Sequence, residues 1–134
     1  QAAILNYKLA YYDDEVKRRR EIASIYHKEL SELHQIKLPQ DPNANEDYYD
    51  VYQNYEIMAE KREELREFLK ENGIGTLIQW GGQAVHSLSK LGFNNISLPF
   101  TENFFKSCFM IPLNTSLTNE DVLYVCEKIK EFYK

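Results

Sequence analysis

The chain has 134 residues, 43% hydrophobic and 28% charged, with a formal net charge of −5. That length suits one domain able to bury roughly two thirds of its unfolded surface, and the acidic balance argues against nucleic acid or an anionic membrane as the main partner. No apolar run approaches the ~20 residues of a membrane-spanning helix, no signal peptide is visible, and two cysteines are too few for a disulfide framework, so a reducing cytoplasm is the expected compartment.

In chain order, residues 2–12 predict a helix with Leu5, Leu9, Tyr12 and Val16 on one stripe and Ile4, Tyr7 and Tyr11 on a second. Two apolar faces are awkward for a lone domain and natural for a helix held between domains or subunits. Asp13-Asp14 can cap a second helix, whose stripe Ile22, Ala23, Tyr26, Leu30, Leu33 carries it to about residue 33. The basic run Lys17-Arg18-Arg19-Arg20 has an acid one turn before each of its first three members: Asp13, Asp14 and Glu15. That spacing reads as a solvated, self-paired face rather than a phosphate site. His27 and His34 are about 10.5 Å apart along the same helix, too far to share a metal, and read as surface or boundary residues. Neither a Cys-x-x-Cys nor a His-x-x-x-His pair occurs, so a metal site has little support.

Residues 36–38 predict a short extended segment and 39–47 an exposed loop, since Pro39, Pro42, Asn43 and Asn45 favour turns. Residues 48–59 alternate as the clearest strand, with Gln53 and Asn54 interrupting its two faces. The two amides read first as satisfied or exposed strand residues and second as ligand contacts. A helix over 61–72 follows, stopped at Asn72-Gly73, and then an apolar strand over 74–80 ending in Gln79-Trp80 before Gly81-Gly82. Strand ends beside glycine turns commonly carry binding groups, because the scaffold fixes them while the loop stays open. Trp80 stands equally as a core aromatic or a binding face. Residues 85–91 suggest a short helix ended by Gly92, with His86 a surface residue at its start rather than an acid or base, and Asn94-Asn95 a turn. Thr101 can cap a helix carrying Phe104, Phe105, Cys108 and Phe109, on which the cysteine reads as a small hydrophobe rather than a nucleophile. Residues 110–113 predict a brief strand. Thr118 with Asp121 makes a capping-box variant for a last helix burying Val122, Val125, Cys126, Ile129, Phe132 and Tyr133. The sum is an α/β (α+β) small domain, helices packed on a small, mostly antiparallel sheet.

A helix, then Glu71-Asn72-Gly73-Ile74-Gly75-Thr76, an apolar strand, a short loop and a histidine together resemble the C-terminal part of the DegT/DnrJ/StrS family of pyridoxal-phosphate-dependent sugar aminotransferases. Blocks resembling the family's occur in order and spacing along the chain. They are Gln1-Ala2-Ala3-Ile4-Leu5, Arg18-Arg19-Arg20-Glu21-Ile22-Ala23, Val51-Tyr52-Gln53-Asn54-Tyr55, Leu98-Pro99 with Thr101-Glu102, and Leu117-Thr118-Asn119-Glu120-Asp121-Val122. The chain begins at Gln1 in a helical run without a methionine, so a fragment comprising residues 1–134, the C-terminal small domain of a larger enzyme, is expected.

The resemblance implies a fold-type-I domain, pyridoxal 5'-phosphate in the intact enzyme, an amino donor such as glutamate, a nucleotide-sugar substrate and a homodimer with active sites at its interface. It places the Schiff-base lysine, the acid facing the pyridine nitrogen and the phosphate donors upstream, so no catalytic or cofactor-binding residue is assigned here and the fragment alone is expected to be inactive. It also implies that the tip Ile78-Gln79-Trp80-Gly81, where relatives commonly carry Ile-His-Tyr-Pro, forms part of a substrate wall. Gln79, Trp80, His86, Gln53 and Asn54 are the candidate substrate-binding residues. Gln-Trp-Gly-Gly followed by Gln-Ala-Val-His is similar to members that aminate 3-keto-6-deoxyhexoses on a deoxythymidine diphosphate carrier. A sugar dehydratase of the same family and a free-standing, non-catalytic binding module are the alternatives. Roughly 200 further residues upstream would remove the second, since that is the size of a catalytic half.

Overall fold

The computed structural model describes residues 1–44, 47, 49–93 and 96–134; the expected turn at Asn94-Asn95, the loop residue Asn45 and the start of the strand at Tyr48 lie outside the described residues. Five helices and three strands follow in the order α1 (Ala2–Leu9), α2 (Tyr12–Leu30), β1 (Ile36–Lys37), β2 (Tyr55–Ala59), α3 (Arg62–Glu71), α4 (Pro99–Ser107), β3 (Cys108–Ile111) and α5 (Asn119–Phe132). Between α3 and α4 the chain makes three short 3₁₀ turns, Gln79–Gly82, Val85–Ser87 and Ser89–Leu91.

The strands form one antiparallel sheet in the order β1-β2-β3, with Ile36 opposite Ala59 and Ile57 opposite Phe109. Alternation along β2 buries Tyr55, Ile57 and Ala59, and Phe109 and Ile111 of β3 join them. Against them pack α2 through Ile22, Ala23, Tyr26 and Leu30, α3 through Leu65 and Leu69, and α5 through Val122, Val125, Cys126 and Ile129. A fully buried Phe, Leu or Ile contributes about 1.5–3 kcal/mol, so this single helix-on-sheet layer holds the fold. Tyr26 crosses it to donate a 2.6 Å hydrogen bond to the Pro112 carbonyl, tying α2 to the end of β3. The last helix starts as its sequence predicts: Thr118 Oγ1 accepts from the Asp121 N–H and the Asp121 carboxylate accepts from the Thr118 N–H. Gly73, at φ 76°, supplies the stop after α3, also as predicted.

Several boundaries differ from the sequence expectation, each for a tertiary reason. The strand expected over 48–59 starts only at Tyr55. Tyr52 sits at φ 48°, its N–H donating to the Asp50 carboxylate and its hydroxyl to the Gln40 carbonyl, so Gln53 and Asn54 are exposed loop residues. The strand expected over 74–80 shrinks to one bridge, Leu77 with Met110, after which the backbone turns. Asp13 and Asp14 do not cap α2 but lie in its first turn, where carboxylates still favour the helix dipole, and α2 ends at Leu30 rather than near residue 33. Pro99 begins α4 in place of a Thr101 cap, since its fixed φ suits the first helical position. Cys108 and Phe109 leave that helix for β3, where pairing with β2 satisfies their backbone. The short helix over 85–91 is two separate 3₁₀ turns about an extended Leu88.

Candidate functional site

The Leu77–Met110 bridge is closed by two hydrogen bonds, Leu77 N–H to the Met110 carbonyl at 3.1 Å and Met110 N–H to the Leu77 carbonyl at 2.7 Å. It fixes the point from which the Gln79–Gly82 turn departs. Ile78 is still extended, and then Trp80, Gly81 and Gly82 take φ of 55°, 65° and 69° in succession. Glycine adopts that left-handed backbone freely, whereas Trp80 does so at a cost of about 1–2 kcal/mol. A Cβ on Gly82 would also come within 3.1 Å of the Ile78 side chain, so the turn needs glycine there for space as well as for φ.

The turn aims Trp80 outward, with 81% of its surface exposed, which removes the core-aromatic reading. Gln79 is half-buried, and its amide donates to the Met110 sulfur at 3.4 Å. Met110 also lines a groove of about 290 Å³ bounded by Asn54 on one side and Gly75-Thr76-Leu77 on the other. Asn54 lines this groove on the Pro112 side of the bridge, whereas Gln79 and Trp80 leave Leu77 toward the Cys108 end; neighbouring Gln53 is exposed and does not line the groove.

His86 is not the surface residue its position suggests. Its side chain is 10% exposed and its Nε2 lies 3.2 Å from Glu102 Oε1. The same carboxylate oxygen accepts the Leu98 N–H at 2.9 Å. That backbone bond, and then the His86 contact, hold the Glu102 carboxyl below the usual carboxylate range. Glu102 thus ties the Val85–Ser87 turn to the start of α4. A glutamate four residues after a helix-opening Leu98-Pro99 was the available signal for half of this role; the histidine partner comes from sixteen residues away and left none. Arg62, at the start of α3, donates to the carbonyls of Phe105 and Cys108 and so secures the α4–β3 junction beside the Gly81-Gly82 turn.

Around this frame the surface is apolar. Leu77, Val85, Leu91, Phe93, Ile96, Leu98 and Phe100 are all between 42% and 88% exposed, and Ala84 is the sole buried residue among those described from 75 to 107. The arrangement offers one indole face, amides and a partly buried imidazole–carboxylate pair, which suits binding rather than bond-making. Burial, then the neighbouring Glu56 carboxylate, push the Cys108 thiol up, and burial pushes the Cys126 thiol up to about 12, so neither is an activated nucleophile. Among the described residues no group of three His, Cys, Asp or Glu could hold a metal ion. No lysine is buried, so none has the desolvated setting of a carbonyl-bound cofactor lysine, and the chain's residues do not by themselves fit pyridoxal phosphate.

The sequence profile described as the DegT/DnrJ/EryC1/StrS aminotransferase family matches residues 1–130. The chain is 36% identical over its whole length to a "Pleiotropic regulatory protein" of Geobacillus stearothermophilus, covering 36% of that protein. It is 34% identical over 98% of its length to the GDP-perosamine synthase of Escherichia coli O157:H7, covering 35% of it. A dTDP-3-amino-3,6-dideoxy-alpha-D-galactopyranose transaminase of Aneurinibacillus thermoaerophilus is 30% identical over 98% of the chain, again with 35% of the relative covered. The X-ray structure of DesV from S. venezuelae superposes on all of the chain, and 36% of DesV, with a TM-score of 0.89 at 31% identity. The chain spans about a third of the length of the relatives it matches, and over that third it is a member of the DegT/DnrJ/EryC1/StrS aminotransferase family.

Proposed function

We propose that residues 1–134 are the C-terminal small domain of a pyridoxal-phosphate-dependent aminotransferase acting on a nucleotide-linked keto-deoxy sugar, and that the Gln79–Gly82 turn is part of its substrate wall. The observation that carries this is Trp80, held outward in a left-handed backbone at a braced strand end, within a family whose named relatives include sugar-nucleotide transaminases. Large aromatic side chains are seldom left 81% exposed without a partner, and an indole offers a sugar or base a flat face with one donor. Gln79 adds an amide at this turn, and Asn54 a second in the groove beyond the Leu77–Met110 bridge, both suited to sugar hydroxyls.

The reactive lysine and the rest of the cofactor site belong, in this reading, to a larger part of the protein, and glutamate is the proposed amino donor. When bound there, the cofactor supplies the electron sink that moves an amino group between donor and keto sugar. This chain's own residues orient the sugar nucleotide and exclude water. The exposed apolar stripes of α1, with Leu5 at 66% and Tyr7 at 68%, support burial against a second body, in a homodimer or against the catalytic part. The buried free thiols Cys108 and Cys126 suit a reducing cytoplasm. A deoxythymidine diphosphate carrier with the keto group at C3 is the finer proposal, supported by the Gln-Trp-Gly-Gly turn and by the dTDP-sugar relative.

The test is Trp80→Ala in the intact protein that carries this chain. The expected result is a KM for the dTDP-keto sugar raised on the order of tenfold, with the cofactor's absorbance spectrum unchanged. Substrate kinetics equal to the parent's would discard the substrate wall.

A further inference from the structure

The basic run of α2 pairs only in part with the acids before it. Of the three expected pairs only Glu15 with Arg19 forms, at 3.3 Å, and Arg18 turns to Glu21 and to α5. Among the described residues Lys17 and Arg20 make no ion pair, so the face is only partly self-neutralised. Lys17, Arg18, Arg20 and Lys28 line an open groove of about 580 Å³ together with the exposed ring of Tyr49, and among the described residues Glu21 is the one carboxylate in its wall.

Two of these cations are built into place. The Arg20 guanidinium donates to the carbonyls of Asp50 and Pro42 at 2.7 and 2.6 Å and lies 4.1 Å over the Tyr49 ring. Arg18 donates to the Leu117 carbonyl at 2.6 Å and to Asn119 Oδ1 at 2.8 Å, with Glu21 more distant at 3.3 Å. Neutral acceptors fix a guanidinium without cancelling its charge, so among the described lining residues the groove sets four cations against one carboxylate on a chain whose net charge is −5. The Asp50 carboxylate accepts the Tyr52 N–H and makes no ion pair with Arg20. The Asp41 carboxylate is 3.7 Å from His27 and accepts the Asn43 N–H.

We propose that this outer face of α2 is an anion-binding site for a diphosphate group. Arg18 and Arg20 form its fixed floor, and the unpaired ammonium groups of Lys17 and Lys28 close on the ligand from either end. Two phosphates match four cations spread over three helical turns better than one does, and the volume admits a nucleotide as well as free pyrophosphate. The site shares no residue with the Trp80 turn, so it stands or falls independently of the proposed activity.

The test is calorimetric titration of pyrophosphate, and in parallel of a nucleoside diphosphate, into the intact protein carrying this chain at low salt. Saturable pyrophosphate binding is expected, weakening as salt rises and by at least about tenfold in the Lys17→Glu/Lys28→Glu variant, with Trp80→Ala unchanged. Both lysines are exposed and, among the described residues, make no ion pair, so the variant should fold; should it not, Lys17→Gln/Lys28→Gln serves in its place. Equal affinity for the two ligands assigns recognition to the diphosphate alone, and tighter nucleotide binding lost in Tyr49→Ala adds a base contact. Absence of saturable pyrophosphate binding, or a charge-reversed variant that binds like the parent, overturns the proposal.

Discussion

The two halves of the apolar surface behave oppositely. In the layer of α2, α3 and α5 on the sheet, every stripe finds a partner and the central residues Ile22, Ile57, Leu65, Phe109 and Ile129 are wholly buried. In α1 and in residues 77–100 the same residue types stay outside: apart from Tyr49, Leu123 and Tyr124, all the exposed large hydrophobics of the described residues fall in residues 4–12 or 77–100. The first region closes on itself because helices and strands fifty or more residues apart meet there. The second has no such counterpart in the chain, and what order it has comes from hydrogen bonds: the Leu77–Met110 bridge, the His86–Glu102 contact and Arg62 on the α4–β3 carbonyls. One region carries the fold and the other presents a surface, which is why the candidate binding residues lie in the second.

That contrast can be broken at several points. Phe109→Ala, in the self-contained layer, should cost about 3–5 kcal/mol in urea unfolding of the chain, because a fully buried ring leaves a cavity between sheet and helices. A loss under 1 kcal/mol would mean the layer is not the source of stability. Thr118→Ala removes the capping-box acceptor of α5 and should cost about 1 kcal/mol in the same measurement, with Thr118→Ser restoring most of it.

In the second region the sensitive variable is pH rather than volume. The folded Glu102 carboxyl is held below its unfolded value by the Leu98 N–H and by His86. Its contribution is therefore fully present above the ordinary carboxylate range and is lost as pH falls through the lowered value. Fluorescence of Trp80, the single tryptophan, should report loosening of the loop on acidification, and in Glu102→Gln that acid limb should vanish. An unchanged acid limb in the variant would show that the carboxylate does not hold the loop. The smallest effect is expected at an exposed side chain: Trp80→Ala should shift stability by under about 0.5 kcal/mol while still weakening substrate binding. A large loss of stability would place Trp80 with the packed layer and end its assignment to a binding face.

The legibility of the sequence follows the same division. The capping box at Thr118 and Asp121, the Asn72-Gly73 stop and the stripes of α2, α3 and α5 could be read because each is encoded within a turn or two of helix. Cys108 and Phe109 could not be placed, because the apolar run from Phe104 to Ile111 satisfies helical and strand spacing at once, and pairing with β2 decides between them. The Arg18 and Arg20 partners were equally hidden: Asp14 offered itself to Arg18 at helical spacing, yet Arg18 takes Glu21, the Leu117 carbonyl and the Asn119 amide, and Arg20 takes the carbonyls of Pro42 and Asp50.

At the candidate site, Gln79 and Trp80 were singled out beside a glycine turn, and Gln53 and Asn54 as amides interrupting a strand; the structure keeps Gln79 and Trp80 together at the turn and places Asn54 in the groove on the other side of the Leu77–Met110 bridge. Gln53 lies outside the groove that Asn54 lines, and His86 acts as a brace whose partner Glu102 carries no local signature. By itself the sequence determined the class of fold, the family and the composition of the candidate tip, because periodicity, capping and glycine punctuation act over a few residues. Only the tertiary structure decided that Trp80 faces outward, that His86 is tied down and that Arg18 and Arg20 are held by distant carbonyls, because exposure and pairing depend on which distant segment arrives alongside.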